Sequence, residues 1–382
     1  MKMYFVLGGR MPSRKAYGIQ AAQTCASFID AGIDLTLIIP RSIALREQAS
    51  MKEFYGLHTD IPVTVLPGLD WEGRGRLGFI LNAIIFMLSS YVYLFAQSLR
   101  GRVDVVYSID MDTYSYILLA FLPVPFFGEL HTPRSHTTLW RIFFAFARGV
   151  ILLNPHIRDG YVQKLGVPSE RLHVDPCAVD AAWLERSISR EEARERLGIP
   201  HDVVVAAYVG RFYDWKGLEI LPPAFTNMPD IDCYLVGGTA EQFKAATGVS
   251  SLPPNLKFPG ECRNEDAPLW HAASDVLLVT WPPKQSPFYA DTSPMKLFEY
   301  MAARRPIVAG NDRAVTGVAP DGTVLLYKLG DPNDLASCVR KAVADGEDIR
   351  QMVENAFATV RTHTLPERAR RILQFISARM LA

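Results

Sequence analysis

Short apolar runs alternate with helix-spaced apolar positions along the whole chain. Met3–Leu7 reads as a strand, and Gly8-Gly9 as the tight turn after it. Tyr17 to Ala31 has the spacing of a helix that stops at Gly32, and Ile33–Pro40 is the next strand. Val63–Leu66, Val103–Tyr107, Val124–Glu129 and Val150–Leu153 are further strands, with helices predicted over Tyr114–Phe121 and Trp140–Arg148. The pattern lapses over Val174–Trp183, and a short helix follows over Arg190–Leu197. It then restarts with strands at Val203–Val209, Cys233–Val236, Leu256–Phe258, Val276–Thr280, Ile307–Ala309 and Val324–Tyr327. Helices are predicted over Leu269–Ala273, Asp334–Ala344, Ile349–Ala358 and Leu365–Leu381. Such alternation predicts an α/β protein with parallel, doubly wound sheets, whose ligands sit beyond the carboxyl ends of the strands. The expected division is 1–175, 176–364 and a terminal helix over 365–382 that packs back on the first domain.

One helix departs from the rest. Leu77–Leu99 contains no charged residue and is long enough to span a bilayer. Gly78, Asn82, Ser89, Tyr93 and Gln97 fall near one stripe, so the segment reads as buried, as lying on a membrane surface, or as spanning.

Composition narrows these readings. A chain of 382 residues with 49% hydrophobic content suits two domains of about 150–200 residues. Forty basic and forty acidic residues cancel, so no global field favours nucleic acid. Five scattered cysteines without a C-x-x-C predict reduced thiols in a cytoplasmic setting and no zinc site. The Met3–Leu7 run is too short for a signal-peptide core.

Candidate chemistry sits at predicted strand ends. Gly8-Gly9, Asp110 and Glu129-Leu130-His131 lie there in the first half. In the second half Gly210-Arg211 and Lys216-Gly217 follow a strand and precede a helix, which suits either a diphosphate cradle or a solvated loop. The spacing is not that of a Walker loop. From Trp281 to Ala309, Asp291 and Glu299 stand eight positions apart. Ser293 is the expected N-cap and Pro294 the first helical residue, with Leu297 and Met301 facing a core. A helix start there offers free N–H groups to phosphate, although an ordinary surface helix reads the same way.

Taken together, these motifs resemble those of family 4 glycosyltransferases of the two-domain GT-B type. Tyr208-Val209-Gly210-Arg211 with Lys216-Gly217-Leu218 resembles the family's V-G-R…K-G signature. Leu235-Val236-Gly237-Gly238, Phe258-Pro259-Gly260 and Ala273-Ser274-Asp275-Val276 follow in the family's order. Ser293-Pro294-Met295-Lys296-Leu297-Phe298-Glu299-Tyr300-Met301-Ala302-Ala303 is the most specific match. In the first half, Gly8 to Tyr17 resembles the opening loop, and Val174 to Asp180 resembles the interdomain P-N-G-V-D.

The resemblance implies two Rossmann-like domains facing across a cleft, and retaining transfer of a sugar from a nucleotide-sugar donor to an acceptor hydroxyl. It implies no metal and no cofactor, with UDP- or GDP-sugars as the default donors. Arg211 and Lys216 would neutralise the diphosphate, and Asp291 would hold hydroxyls of the moving sugar. Glu299 would accept the ribose hydroxyls, and the amides around Ser293, Pro294, Met295, Lys296 and Leu297 would meet a donor phosphate. Gly210, Gly237 and Cys262 complete the donor side. His131 and Gly9 would approach from the other domain, with Arg10 and Arg14 toward the acceptor. That acceptor is expected to be a lipid-linked or nascent surface glycan, met on the inner membrane face by the apolar N-terminal domain.

The chain departs from the family at two places. Asp291 stands where the family has Glu, and Cys177-Ala178 where it has Asn-Gly. A GT-B epimerase or phosphorylase, and a catalytically silent nucleotide- or glycan-binding protein, are the other readings of the same motifs.

Overall fold

In the computed structural model, residues 1–13, 15–42, 50–69, 75–109, 117–134, 137–185, 188–263, 265–283 and 292–381 are described. Arg14, Asp110 and Asp291 lie outside them. The chain forms two compact units, one of residues 1–176 with 365–382 and one of residues 177–364.

The first unit holds seven parallel strands: β1 (Lys2–Val6), β2 (Asp34–Pro40), β3 (Val63–Leu66), β4 (Val105–Ile109), β5 (Phe126–Leu130), β6 (Gly149–Leu152) and β7 (Leu172–Val174). Their order is β3-β2-β1-β4-β5-β6-β7, with Met3 beside Val105 where the order reverses. β4 and β5 are buried along their whole length, as parallel strands covered on both faces must be. Alternate residues feed two cores: Val6, Ile38, Val106 and Phe126 on one face, and Phe5, Leu37, Tyr107 and Phe127 on the other. The terminal helix Leu365–Leu381 packs against Ala16–Asp30 and adds Ala369, Ile372 and Ile376 to the second core.

The second unit repeats the design with β8 (Val204–Val209), β9 (Ile231–Val236), β10 (Leu256–Gly260), β11 (Val276–Val279), β12 (Ile307–Gly310) and β13 (Leu325–Tyr327). The order is β10-β9-β8-β11-β12-β13, again all parallel, reversing between β8 and β11.

Several elements differ from expectation. Of the helix predicted over Tyr114–Phe121, the described part is a 3-10 turn at Ile117–Phe121. β7 falls partly inside the stretch where the pattern lapsed, because a three-residue strand is too short to show a period. The Pro155–Leu165 helix was not predicted, yet Asn154 caps it by accepting from the His156 N–H at 3.0 Å and Gly166 ends it. Ser293 is not the N-cap of its helix. That helix runs Met295–Ala302 with Pro294 as the cap residue, because the Ser293 hydroxyl is already engaged by the Cys177 N–H at 3.0 Å.

The apolar helix spans Gly75–Leu99 and is long and apolar enough to cross a membrane. Its inward stripe is Gly78, Ala83, Phe86, Ser90 and Leu94. Asn82, from the expected polar face, accepts a hydrogen bond from the Leu69 N–H at 2.6 Å. The outward stripe is apolar instead: Leu77, Leu81, Leu88, Val92, Phe95 and Leu99 are exposed. This inverts the usual arrangement of a surface helix in water.

Candidate functional site

The second unit gathers its chemistry where strand order reverses, the position at which open α/β sheets bind ligands. After β8 the chain turns at Gly210, whose φ of 145° disfavours any L side chain. The Gly210 N–H donates to Val236 O at 2.7 Å, and the Gly237 N–H donates to Gly260 O at 2.9 Å, so the turns after β8, β9 and β10 stack on one another. A 3-10 turn over Asp214–Lys216 follows. It is tied to the end of β11 by the Thr280 hydroxyl, which donates to Lys216 O at 2.7 Å. Gly217 ends that turn, where a Cβ would lie 2.1 Å from the Trp281 carbonyl carbon.

The Met295–Ala302 helix is fixed to the same place. Its Tyr300 hydroxyl accepts from the Val209 N–H at 2.9 Å, at the last residue of β8. In front of the helix, Cys177 donates its N–H to the Ser293 hydroxyl and its Sγ–H to Ser293 O, at 3.0 and 3.2 Å. The residue that departs from the family motif therefore holds the helix entrance.

Tyr208, Lys216, Thr280, Trp281, Pro294 and Lys296 line one pocket. Lys216 Nζ lies 3.9 Å from the Trp215 ring centroid and 5.0 Å from that of Trp281. Burial pushes Lys216 down to about 8. Lys296 Nζ sits 3.2 Å over the Tyr208 ring, and burial, then the Lys216 charge, hold it well below the ordinary lysine value. Burial raises Glu299 to about 6, against the pull of Lys296. Cys262 is half-buried nearby, and burial raises its thiol. Arg211 stays exposed and outside the pocket lining. Among the described residues no cluster of three or more His, Cys, Asp or Glu could hold a metal ion.

In the first unit, Gly9 follows β1, where a Cβ would lie 2.7 Å from the Tyr17 ring. The Tyr17 hydroxyl donates to Arg10 O at 3.0 Å. His131 follows β5, with Nε2 2.6 Å from Glu129 Oε1. Glu129 also accepts from the Tyr107 hydroxyl and pairs with Arg368 at 2.9 Å. Burial alone would raise the Glu129 carboxyl; the Arg368 cation and the hydrogen bonds from His131 and Tyr107 outweigh it and hold it at about 2. Arg368 donates further to Pro176 O at 2.8 Å, and Arg371 forks onto Asp175 at 2.7 and 3.1 Å.

Arg368, although it stands in a basic run of the terminal helix, is 3% exposed. A signal was there, since Arg368 shares a helical stripe with Ile372 and Ile376, where a cation needs a buried partner.

Residues 189–359 match the glycosyl transferases group 1 family. Among curated proteins, the chain is 25% identical over 269 residues to an alpha-D-kanosaminyltransferase of Streptomyces kanamyceticus, covering 64% of this chain and 67% of that one. It is 26% identical over 204 residues to D-inositol 3-phosphate glycosyltransferase 1 of Catenulispora acidiphila, covering 49% of this chain and 47% of that one. These matches thus span about half to two thirds of the relatives' own lengths. Among solved structures, Anabaena HepE in complex with UDP superposes with a TM-score of 0.73 at 19% identity, over 99% of this chain and all of that one. The chain carries the GT-B fold, and its match to the group 1 glycosyltransferases falls within the second unit.

Proposed function

We propose that the protein is a retaining glycosyltransferase that moves a sugar from a nucleotide-sugar donor to an acceptor hydroxyl in cell-surface glycan or glycolipid synthesis. It works without metal or cofactor at the cytoplasmic face of a membrane. The observation that carries the reading is the pocket at the β8/β11 reversal, where Lys216 and the first turn of the Met295–Ala302 helix face the same space. A departing diphosphate needs positive charge as the glycosidic bond breaks. A buried ammonium and a helix N-terminus supply it with little reorganisation. Glu299, largely ionised at neutral pH, accepts the ribose hydroxyls. The leaving phosphate takes the acceptor proton on the same face of the sugar, so no protein nucleophile is required. Asp291 is assigned to the moving sugar's hydroxyls, and His131 and Gly9 to the donor side of the first unit, from sequence resemblance.

The donor base is UDP or GDP on this reading, and HepE, crystallised with UDP, favours testing UDP first. The direct test is a thermal-shift panel of UDP, GDP, ADP and CMP, followed by sugar release from the matching donors. A chain whose melting temperature no nucleotide raises would remove the donor site.

The membrane part rests on the Gly75–Leu99 helix. Val92 and Leu99 are 67% and 73% exposed, and Phe121 packs on Phe146 at 4.5 Å to extend the apolar surface. Arg76, Arg100 and Arg102 are exposed at its two ends, and residues 75–102 contain no acid. Because the opposite stripe of this helix is packed into the first unit's core, it lies flat in the interface instead of spanning. Vesicles containing anionic lipid should sediment the protein, and the double variant Leu88→Glu/Val92→Glu should stay in solution. Equal sedimentation of the two proteins would refute the contact.

A further inference from the structure

We propose that the side chain of Lys296 is a further cation on the donor diphosphate, acting with Lys216 and the indole N–H of Trp281. The inference rests on the donor-site reading above and deepens it.

Lys296 stands in the first turn of the Met295–Ala302 helix, the end that repels a cation. Its Nζ is sealed from solvent and finds no hydrogen-bond acceptor among the described residues. The Tyr208 ring beneath it offers a cation–π contact but no lone pair. Trp281, 2% exposed, lines the same pocket, and its Nε1–H also lacks an acceptor among the described residues. Lys216 adds a second ammonium. No carboxylate is among the described residues that line the pocket.

A folded chain does not ordinarily gather buried donors without acceptors, since each costs free energy until paired. Two such donors, a second ammonium and a repelling helix end around one space describe a site completed by a multiply charged anion. Gly210 supports the same reading. A Cβ there would lie 2.7 Å from Lys296 Nζ, so the glycine in the turn leaves room for the ammonium at the pocket.

The titratable groups that face Lys296 are Lys216, Glu299 and Cys262, and it in turn acts on the buried His271. Both lysines are held below the ordinary lysine value, so a bound diphosphate should draw protons onto them. A purely structural lysine on a tyrosine ring would show no such uptake.

The test is calorimetric titration of the full chain with UDP, GDP and inorganic pyrophosphate at pH 8, in two buffers of different ionisation enthalpy. Lys296→Met keeps the stem over Tyr208 and removes the charge. It should weaken pyrophosphate and nucleoside diphosphate binding roughly 10- to 100-fold, as for loss of a hydrogen bond to a charged group. It should also lower the proton uptake on binding. Should the methionine variant fail to fold, Lys296→Gln carries the same expectation. If the wild type binds a nucleoside diphosphate and the Lys296 variant binds it equally, with equal uptake, the proposal falls and the donor site stands. If the wild type binds neither a nucleotide nor pyrophosphate, the donor site falls and takes the proposal with it.

Discussion

Replacing Arg368 with methionine tests the electrostatic core of the first unit. The Glu129 side chain is fully buried, and Arg368 is the cation it pairs with at 2.9 Å. An isolated glutamate titrates near 4.5, and this one is held at about 2. Because its folded value is depressed, Glu129 stabilises the fold above pH 4.5 and loses that contribution as pH falls toward 2. The shift is worth about 3 kcal/mol, shared among Arg368, His131 and Tyr107. Removing Arg368 does more than forfeit its share, because it leaves a buried charge uncompensated, at a cost of about 3–5 kcal/mol. Two units make a single unfolding midpoint ambiguous, so the readout is native-state hydrogen exchange of peptides from residues 105–130. At pH 7 the variant should lose protection there by the full amount. Near pH 4 the loss should shrink, since its Glu129 now takes up a proton. The double variant Arg368→Met/Glu129→Gln should recover part of the protection at pH 7. A loss that is the same at both pH values, or below about 1 kcal/mol, would refute the argument.

Three further outcomes follow from the second unit. Nucleotide affinity should be highest between about pH 6 and 8: below 6 Glu299 protonates and stops accepting, and above 8 Lys216 loses its charge, which titration calorimetry across pH 5–9 reads directly. Gly210→Ala should lower affinity for UDP by tenfold or so while the fold survives, at a strain cost of about 1–3 kcal/mol read by native-state hydrogen exchange of peptides from residues 204–217, because its Cβ meets Lys296 Nζ and its φ is positive. His271 is buried with neither ring nitrogen bonded among the described residues, and burial with the Lys296 charge lowers it to about 3. The unfolded chain binds that proton near 6.5 and the folded chain does not, so stability falls as pH drops below 6.5. His271→Phe should flatten that slope and raise stability at pH 5 in thermal melts.

The alternation of apolar runs and helix-spaced positions was enough to give two doubly wound sheets, because strands such as β4 and β5 are buried on both faces and must be apolar throughout. The glycine turns were legible for a related reason. Gly210 and Gly217 occupy positive-φ turns against which other backbone or side-chain atoms press, and only glycine fits. The cap of the Met295–Ala302 helix was misread because spacing shows where a hydroxyl lies and not what it already binds. Lys296 shows the same limit. Its place in the first helical turn follows from the letters, but the absence of an acceptor around Nζ depends on what Tyr208 and Trp281 bring from other strands.

The apolar helix and the terminal helix show from opposite sides what a sequence pattern leaves open. In Gly75–Leu99 the letters show a narrow polar stripe without saying which way it faces. The structure turns Gly78 and Ser90 inward, where small residues let the helix approach the sheet, and leaves the wide apolar stripe outside. In Leu365–Leu381 a basic run looks solvated, yet Arg368 enters the core because Glu129 waits there to pair with it. A periodic pattern fixes which residues share a face. Which side of the pattern turns inward is decided by the partner: a sheet that needs close contact in one case, a buried carboxylate in the other. The first unit therefore turns an apolar stripe outward and a charge pair inward, the reverse of what either run of letters suggests for a chain in water.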